Sequence, residues 1–348
     1  MLEEFSFKYI QQKLSDDLTV MERKELYKFL SKTKFTSLKT QMIDSPPKSS
    51  LDSNPYVSGA LKEKVRRLPK KNSFKAQCNE IGVVINVYST KETTEQIQHL
   101  VDCVTEIVSF LDHFAVNKEM NRLTISLYLL EDKKVVGKEK ILSADNVNGG
   151  STSRGSDVSV EVWRKEEILK VTIHELIHAF SYDHPQEPLT LLQHYQHKYN
   201  VSSDKINAFE AYTEIWAEII HCYYLASYIL KYRKLDIKEY DLFRTFLQIE
   251  REFSLEQAQR VLNLHETDLT KDMNKITNVL AYYVIVGEIY ENLQEFLEFC
   301  QKHNKHFITI QNLELYFRYL KDLKEMIKKN KIGKMKTGRM TICQLKLF

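Results

Sequence analysis

Most of what marks a chain for export, for a membrane or for a polyanion is missing from these 348 residues. The five cysteines, Cys78, Cys103, Cys222, Cys300 and Cys343, are odd in number, lie far apart and form no CxxC pair. They read as scattered reduced thiols rather than as a disulfide framework. No apolar run reaches the roughly 20 residues that a membrane-crossing helix needs. The opening MLEEFSFKYIQQKLSDDL carries acids in its first turn and lacks an apolar stretch followed by small residues, which is not how a secretory signal is built. A formal net charge of +3 is too small over this length to imply nucleic-acid or membrane binding. The expectation is an intracellular, cytoplasmic protein that is not secreted, with any basic function confined to a local segment.

What is present suffices for a core, with 43% hydrophobic and 28% charged residues, ordinary proportions for a globular chain. The length, near twice that of a usual domain, argues for two lobes. Residues 1–44 show helical spacing of Leu, Phe and Tyr among Lys and Glu, and SPPKSSLDSNP from Ser45 to Pro55 interrupts regular structure, so residues 45–72 read as a linker. In residues 73–200 the β-branched run Ile81 to Tyr88 and the alternating Leu123 to Leu130 predict strands, with a helix from about Thr93 to Phe114 between them. A Gly- and Asn-containing segment then leads to the β-rich VSVEVW. From Lys165 onward the periodicity is helical, broken around Pro185 to Pro188 and near Lys234 to Asp236, and residues 201–348 read as a helical lobe. Within it, the apolar Asn278 to Phe299 predicts core, and the basic Lys321 to Arg339 reads as a solvated tail, nucleic acid being the lesser reading. The fold class expected is α+β.

Chemistry is concentrated between Glu166 and Ser181. There Leu169, Ile173, Leu176, Ile177 and Phe180 recur at helical spacing and place His174-Glu175-Leu176-Ile177-His178 on an amphipathic helix. Histidines one turn apart aim two imidazoles at one point, where neutral ring nitrogens can bind Zn²⁺, and Glu175 flanks that point as the expected general base. The apolar flanks Thr172-Ile173 and Ala179-Phe180 place the pair on a largely buried helix, where unpartnered histidines would be costly.

A hydrolytic zinc keeps three protein ligands and an open position. Downstream, Glu210, Glu214 and Glu218 follow one another at i,i+4 on an apolar helix beginning near Asp204, with no Lys or Arg between Lys205 and Lys231. Like charges so stacked require a cation from outside. Glu210 or its neighbour Glu214 is the third ligand expected from this helix. A further alternative is His184, because HELIHAFSYDH also has HExxHxxGxxH spacing, with Ser181 in place of the glycine that turns the chain. A Met-turn is not apparent, the nearest methionine, Met273, lying in a polar helical stretch.

HELIH followed by Glu-Ala-Tyr-Thr-Glu-Ile-Trp (210 to 216) resembles the gluzincin pair, HExxH plus a helical ExxxD/E, of thermolysin-like zinc metallopeptidases. The resemblance spans about Ile81 to Tyr232. It implies a zincin-like lobe, a small twisted sheet with the HExxH helix, facing the helical lobe across a cleft. It also implies Glu210 as ligand and Glu214 as partner of His174 or His178. Phe209 stands where an Asn often precedes the ligand, Glu214 stands where Asp is common, and Glu214 to Glu218 would fit a pattern shifted by one turn. The series VNGGST, VEVWRKEEILKVTIHELIH and EAYTEIWAE is also similar to uncharacterised metallopeptidase-like proteins of large DNA viruses, which adds association with a virion to the expected locations.

By this resemblance Asn148 to Thr152 would form part of an edge strand that pairs with substrate; a plain Gly-rich turn is the other reading. The family's oxyanion donor, a Tyr or His, has candidates in Tyr212, His221, Tyr223 and Tyr224. The function expected is zinc-dependent hydrolysis of peptide bonds in a peptide or protein substrate. The alternatives are a non-catalytic zinc-binding structural or interaction protein with a degenerate peptidase fold, and a basic-tail adaptor for nucleic acid.

Overall fold

The computed structural model describes residues 2–15, 20–44, 51, 54, 57–115, 119–137, 142–233, 235–266, 277–326 and 332–348. They form an α+β fold whose sheet has six strands in the order β1-β2-β3-β4-β6-β5. These are β1 (Gln41–Ile43), β2 (Lys70–Cys78), β3 (Ile81–Ser89), β4 (Arg122–Tyr128), β5 (Gly150–Thr152) and β6 (Asp157–Val162). The central pairs β3/β4 and β4/β6 are parallel, while β1/β2, β2/β3 and β5/β6 are antiparallel. Parallel strands are covered on both faces, and the run from Val83 to Tyr88 has the β-branched, apolar composition this demands.

The crossover from β3 to β4 is helix α4 (Thr94–Phe114). It starts at a capping box, Thr93 accepting from the Gln96 amide and Gln96 accepting from the Thr93 amide. The short α5 (Ala144–Val147) precedes β5, and helix α6 (Ile168–Ala179), which carries HELIH, follows β6 and packs against β5 and β6. Beyond it come α7 (Leu189–Tyr199), α8 (Ala208–Tyr232) and α9 (Glu239–Glu266), then a π-helical stretch (Leu280–Ile285) continuing into α10 (Val286–Glu291), and finally α11 (Leu293–His303) and α12 (Leu313–Asp322). Among the described residues no helix is long and apolar enough to cross a membrane. All five cysteines are buried and none forms a disulfide.

The boundaries differ from those expected in three places. The segment read as a linker, 45–72, contains helix α3 (Gly59–Arg66), capped by Ser58, and the first residues of β2. Its apolar residues Leu51, Val57, Leu61, Val65 and Leu68 bury against Tyr88, Tyr128, Leu130 and Trp163 as a second small core; residues 45–50, 52–53 and 55–56 lie outside the described set. The N-terminal segment, with α1 (Glu4–Ser15) and α2 (Lys24–Leu30), ends in β1 and sends Leu26, Phe29 and Leu30 into the main core, so it is part of the body of the fold. The basic segment read as a solvated tail, Lys321 to Arg339, exposes Lys324, Lys334 and Lys336 but buries Leu323, Met326 and Met335, and the chain beyond it returns to the core. Met340, Ile342, Cys343 and Leu345 are buried, and Arg339 is held between Glu3 and Glu166. Met273 and residues 327–331 are not among those described.

Candidate metal centre

Helix α6 is buried along its whole length, and its i,i+4 register stacks Lys170, His174 and His178 on one stripe with Val171 and Glu175 beside it. The two imidazoles lie with ring centroids 4.8 Å apart. Their Nε2 atoms are 3.1 Å from each other. Glu210, in the first turn of α8, places Oε2 3.2 Å from Nε2 of His174 and 3.3 Å from Nε2 of His178. Helix α8 begins at Ala208, one turn after the expected start at Asp204. The Glu187 carboxylate accepts the amide protons of Ile206, Asn207 and Ala208 and so fixes that start.

The far sides of the two rings settle which nitrogens carry protons. Nδ1 of His174 donates to Glu214 Oε2 at 2.8 Å, and Nδ1 of His178 donates to Asp183 Oδ2 at 2.8 Å. A carboxylate only accepts, so each neutral ring has its proton on Nδ1 and a lone pair on Nε2. Two such lone pairs and a carboxylate oxygen then converge within 4.8 Å. Without a cation among them they repel, and the donor set of two imidazoles and one carboxylate is one that Zn²⁺ takes in hydrolases. Ligand imidazoles oriented by carboxylates on their other nitrogen are the usual support of such a centre.

Burial lowers the affinity of both imidazoles for a proton, but Glu210 and Glu214 outweigh it at His174, while Asp183 and Glu210 outweigh it at His178. The net shift is upward at His174 and well above the ordinary range at His178. Burial alone would raise the two glutamates. The imidazoles instead hold Glu210 far below the usual carboxylate range, and Lys170 with His174 brings Glu214 down to about 2. Glu175 moves the other way, burial raising it against the pull of both histidines.

Glu175 is held from the sheet side. Thr152 Oγ1 donates to its Oε2 at 2.7 Å, and the backbone of Gly150 passes so close that a Cβ there would lie 2.6 Å from Glu175 Oε1 and 2.8 Å from Val171 Cγ1. Asn148 to Thr152 is thus the end of the sheet facing the centre, with β5 as its edge strand and a cavity of about 420 Å³ beside it. The cavity is also lined by Phe209, Thr277, Asn278 and Tyr282, Thr277 donating to Asn148 Oδ1 at 2.8 Å.

Of the residues expected at the site, the structure brings together His174, His178, Glu210, Glu175 and Glu214. Glu214 sits behind the His174 ring, on its Nδ1 side, not among the converging lone pairs. His184 is outside the group. Ser181 does adopt a left-handed turn, at φ 57°, but it delivers Asp183, not His184, to the nearer imidazole. The expected oxyanion donors face elsewhere. Tyr212 donates to the Ile308 carbonyl and Tyr224 to Glu106, Tyr223 packs on Tyr27 and Phe243, and burial drives the His221 imidazole down to about 3.

Four residues of the centre were not singled out from the sequence. Lys170 is the outside cation that the acidic α8 helix needs, one turn before His174. Asp183 lies five residues after His178, and Arg154 holds it at 2.8 and 2.9 Å. Tyr282, on the π-helical stretch, has its ring 6.0 Å from that of His174. Burial, then Glu210 and Glu175, push its phenol well above the ordinary range, so it stays a donor. A lysine at i−4 from the first histidine of HELIH was a readable signal, whereas Tyr282 had none beyond lying in an apolar helix.

No family model matches the chain. An uncharacterised protein of Acanthamoeba polyphaga mimivirus is similar to it, 23% identical over 289 residues that cover 75% of this chain and 70% of that protein. No solved structure matches.

Proposed function

We propose that the chain is a zinc metallopeptidase of the gluzincin kind, an endopeptidase acting on a peptide or protein substrate, with β2 to α6 as its zincin-like lobe. The observation that carries this reading is the convergence of His174 Nε2, His178 Nε2 and Glu210 Oε2, each ring turned to it by a carboxylate, beside a fourth acid that takes no part in holding the ion. When bound, Zn²⁺ would polarise the scissile carbonyl and acidify the attacking water.

The remaining work belongs to side chains. Glu175, tied at one oxygen by Thr152, accepts a proton from the water and returns it to the departing amine nitrogen. A substrate in extended form adds to β5, the edge strand, which presents Gly150 to Thr152 to the cavity. Tyr282, kept protonated across the cavity, donates to the oxygen that gains charge as the carbonyl is attacked. Glu175→Gln tests the assignment. Hydrolysis of a peptide library is expected to fall by at least about 10³-fold, with zinc still bound. Equal hydrolysis by the variant contradicts the role of Glu175, and zinc binding with no hydrolysis by either protein assigns the centre to structure.

A further inference from the structure

Behind each imidazole stands a carboxylate, and behind each carboxylate a cation, yet the two series are unlike. Arg154, which holds Asp183, is on the cavity rim with 34% of its side chain exposed; Lys170, which holds Glu214, is 1% exposed. Lys170 Nζ contacts Glu214 Oε1 while His174 Nδ1 occupies Oε2, so both oxygens of a fully buried carboxylate are taken. The other partner recorded for Nζ is the Met340 sulfur at 3.6 Å, a weak acceptor. Glu167, which also acts electrostatically on Lys170, is already engaged by Lys134 and by the amides of Met340 and Thr341. One turn beyond Glu214 lies Glu218, and near it Glu250, both buried. Glu214 thus has a buried acid one turn away, and Lys170 is the cation that contacts its oxygen not taken by His174.

We propose that Lys170 is a positioning residue for the metal centre, acting through Glu214 to hold the His174 ring with Nε2 toward His178 and Glu210. This rests on the metal-binding part of the function proposed above. Without the lysine, a buried carboxylate is left among other acids with no counter-ion, and it turns away or is neutralised. The His174 Nδ1–H then loses its acceptor and the ring its fixed direction.

The test is a cycle of Lys170→Met, Glu214→Gln and the double variant in the full chain. It is read as zinc affinity by chelator competition, as the visible spectrum of the cobalt(II)-substituted protein, and as the melt of the metal-free protein. Lys170→Met is expected to weaken zinc binding by about 10–100-fold and to change the cobalt spectrum. In the Glu214→Gln background, where a neutral amide oxygen accepts from His174 and needs no counter-ion, the same substitution is expected to change zinc affinity by no more than about twofold. A folded Lys170→Met protein with unaltered zinc affinity and cobalt spectrum overturns the proposal. An equal loss in both backgrounds does so too. If Lys170→Met does not fold, the double variant decides, and zinc binding about tenfold or more weaker than in Glu214→Gln overturns the proposal. Failure of the unsubstituted chain to bind zinc instead removes the metal reading itself.

Discussion

Two histidines, Glu210, Glu214 and Asp183 form one charge system, and the direction of each shift says how the metal-free protein responds to pH. His174 and His178 bind protons more tightly folded than unfolded. Their contribution to stability is complete below the ordinary imidazole value of 6.5 and is lost as pH rises through the elevated folded values. Glu210 and Glu214 are lowered, so their contribution is present above the ordinary 4.5 and is lost as pH falls toward about 2. In the chelated protein, the melting difference between the unsubstituted chain and His178→Ala is therefore expected to be largest between pH 4.5 and 6.5 and to shrink as the solution is made alkaline. Zinc affinity follows the opposite course above pH 6.5, since the ion displaces those protons. A melting difference that grows with alkalinity would show that the histidines are neutral in the metal-free fold.

At the scale of elements, the close approach of β5 to α6 governs where Glu175 can be. Gly150 stands where a side chain would meet the Glu175 carboxylate and Val171, so Gly150→Ala is expected to push the strand away and loosen the Thr152 hydrogen bond. Activity should fall by about 10²-fold with zinc content kept, as steady-state kinetics beside metal analysis would show. Loss of zinc together with activity would mean that the strand supports the ligands and not the base.

Elements with one strong local signal were legible in the chain. Examples are β3 from its β-branched run, α4 as the helix expected from about Thr93 to Phe114, and α6 and α8 from helical spacing around HELIH and Glu210. Strand β2 and helix α3 were not, because KKNSFKAQC is polar, with burial that does not alternate, and α3 follows a proline- and serine-rich stretch that resembles linker. Their place is set by pairing with β3 and by burial against Tyr88, Tyr128 and Trp163, which are long-range causes. Tyr282 was missed for the same reason, since it reaches His174 through the fold, whereas Asp183, five residues after His178, depends on the turn at Ser181 that brings it back to that ring.

Over the whole molecule, the last residues close the structure. Leu345 pairs with Leu2, and the Glu3 amide donates to the Gln344 carbonyl. The amides of Ile342 and Cys343 and the Thr341 hydroxyl donate to Glu250, while those of Met340 and Thr341 donate to Glu167, at the start of α6. Burial still keeps Glu250 near 7 in spite of its donors. Deleting Met335 to Phe348 leaves two buried carboxylates without these partners, each costing on the order of 1–3 kcal/mol or more. It also removes the buried side chains from Met340 to Leu345. The shortened chain is expected to lose its cooperative melt and its metal together, whereas a free basic tail could be removed at no cost to either. Unchanged melting after the deletion would contradict this closure.

The metal itself is the most direct test of the account. Zinc content of the purified, dialysed protein, measured for the unsubstituted chain and for Glu210→Ala, is expected to be one ion per chain in the first and well below that in the second, with the fold retained in both. An unsubstituted chain that holds no zinc, or a Glu210→Ala protein that keeps a full ion as tightly as before, would contradict it.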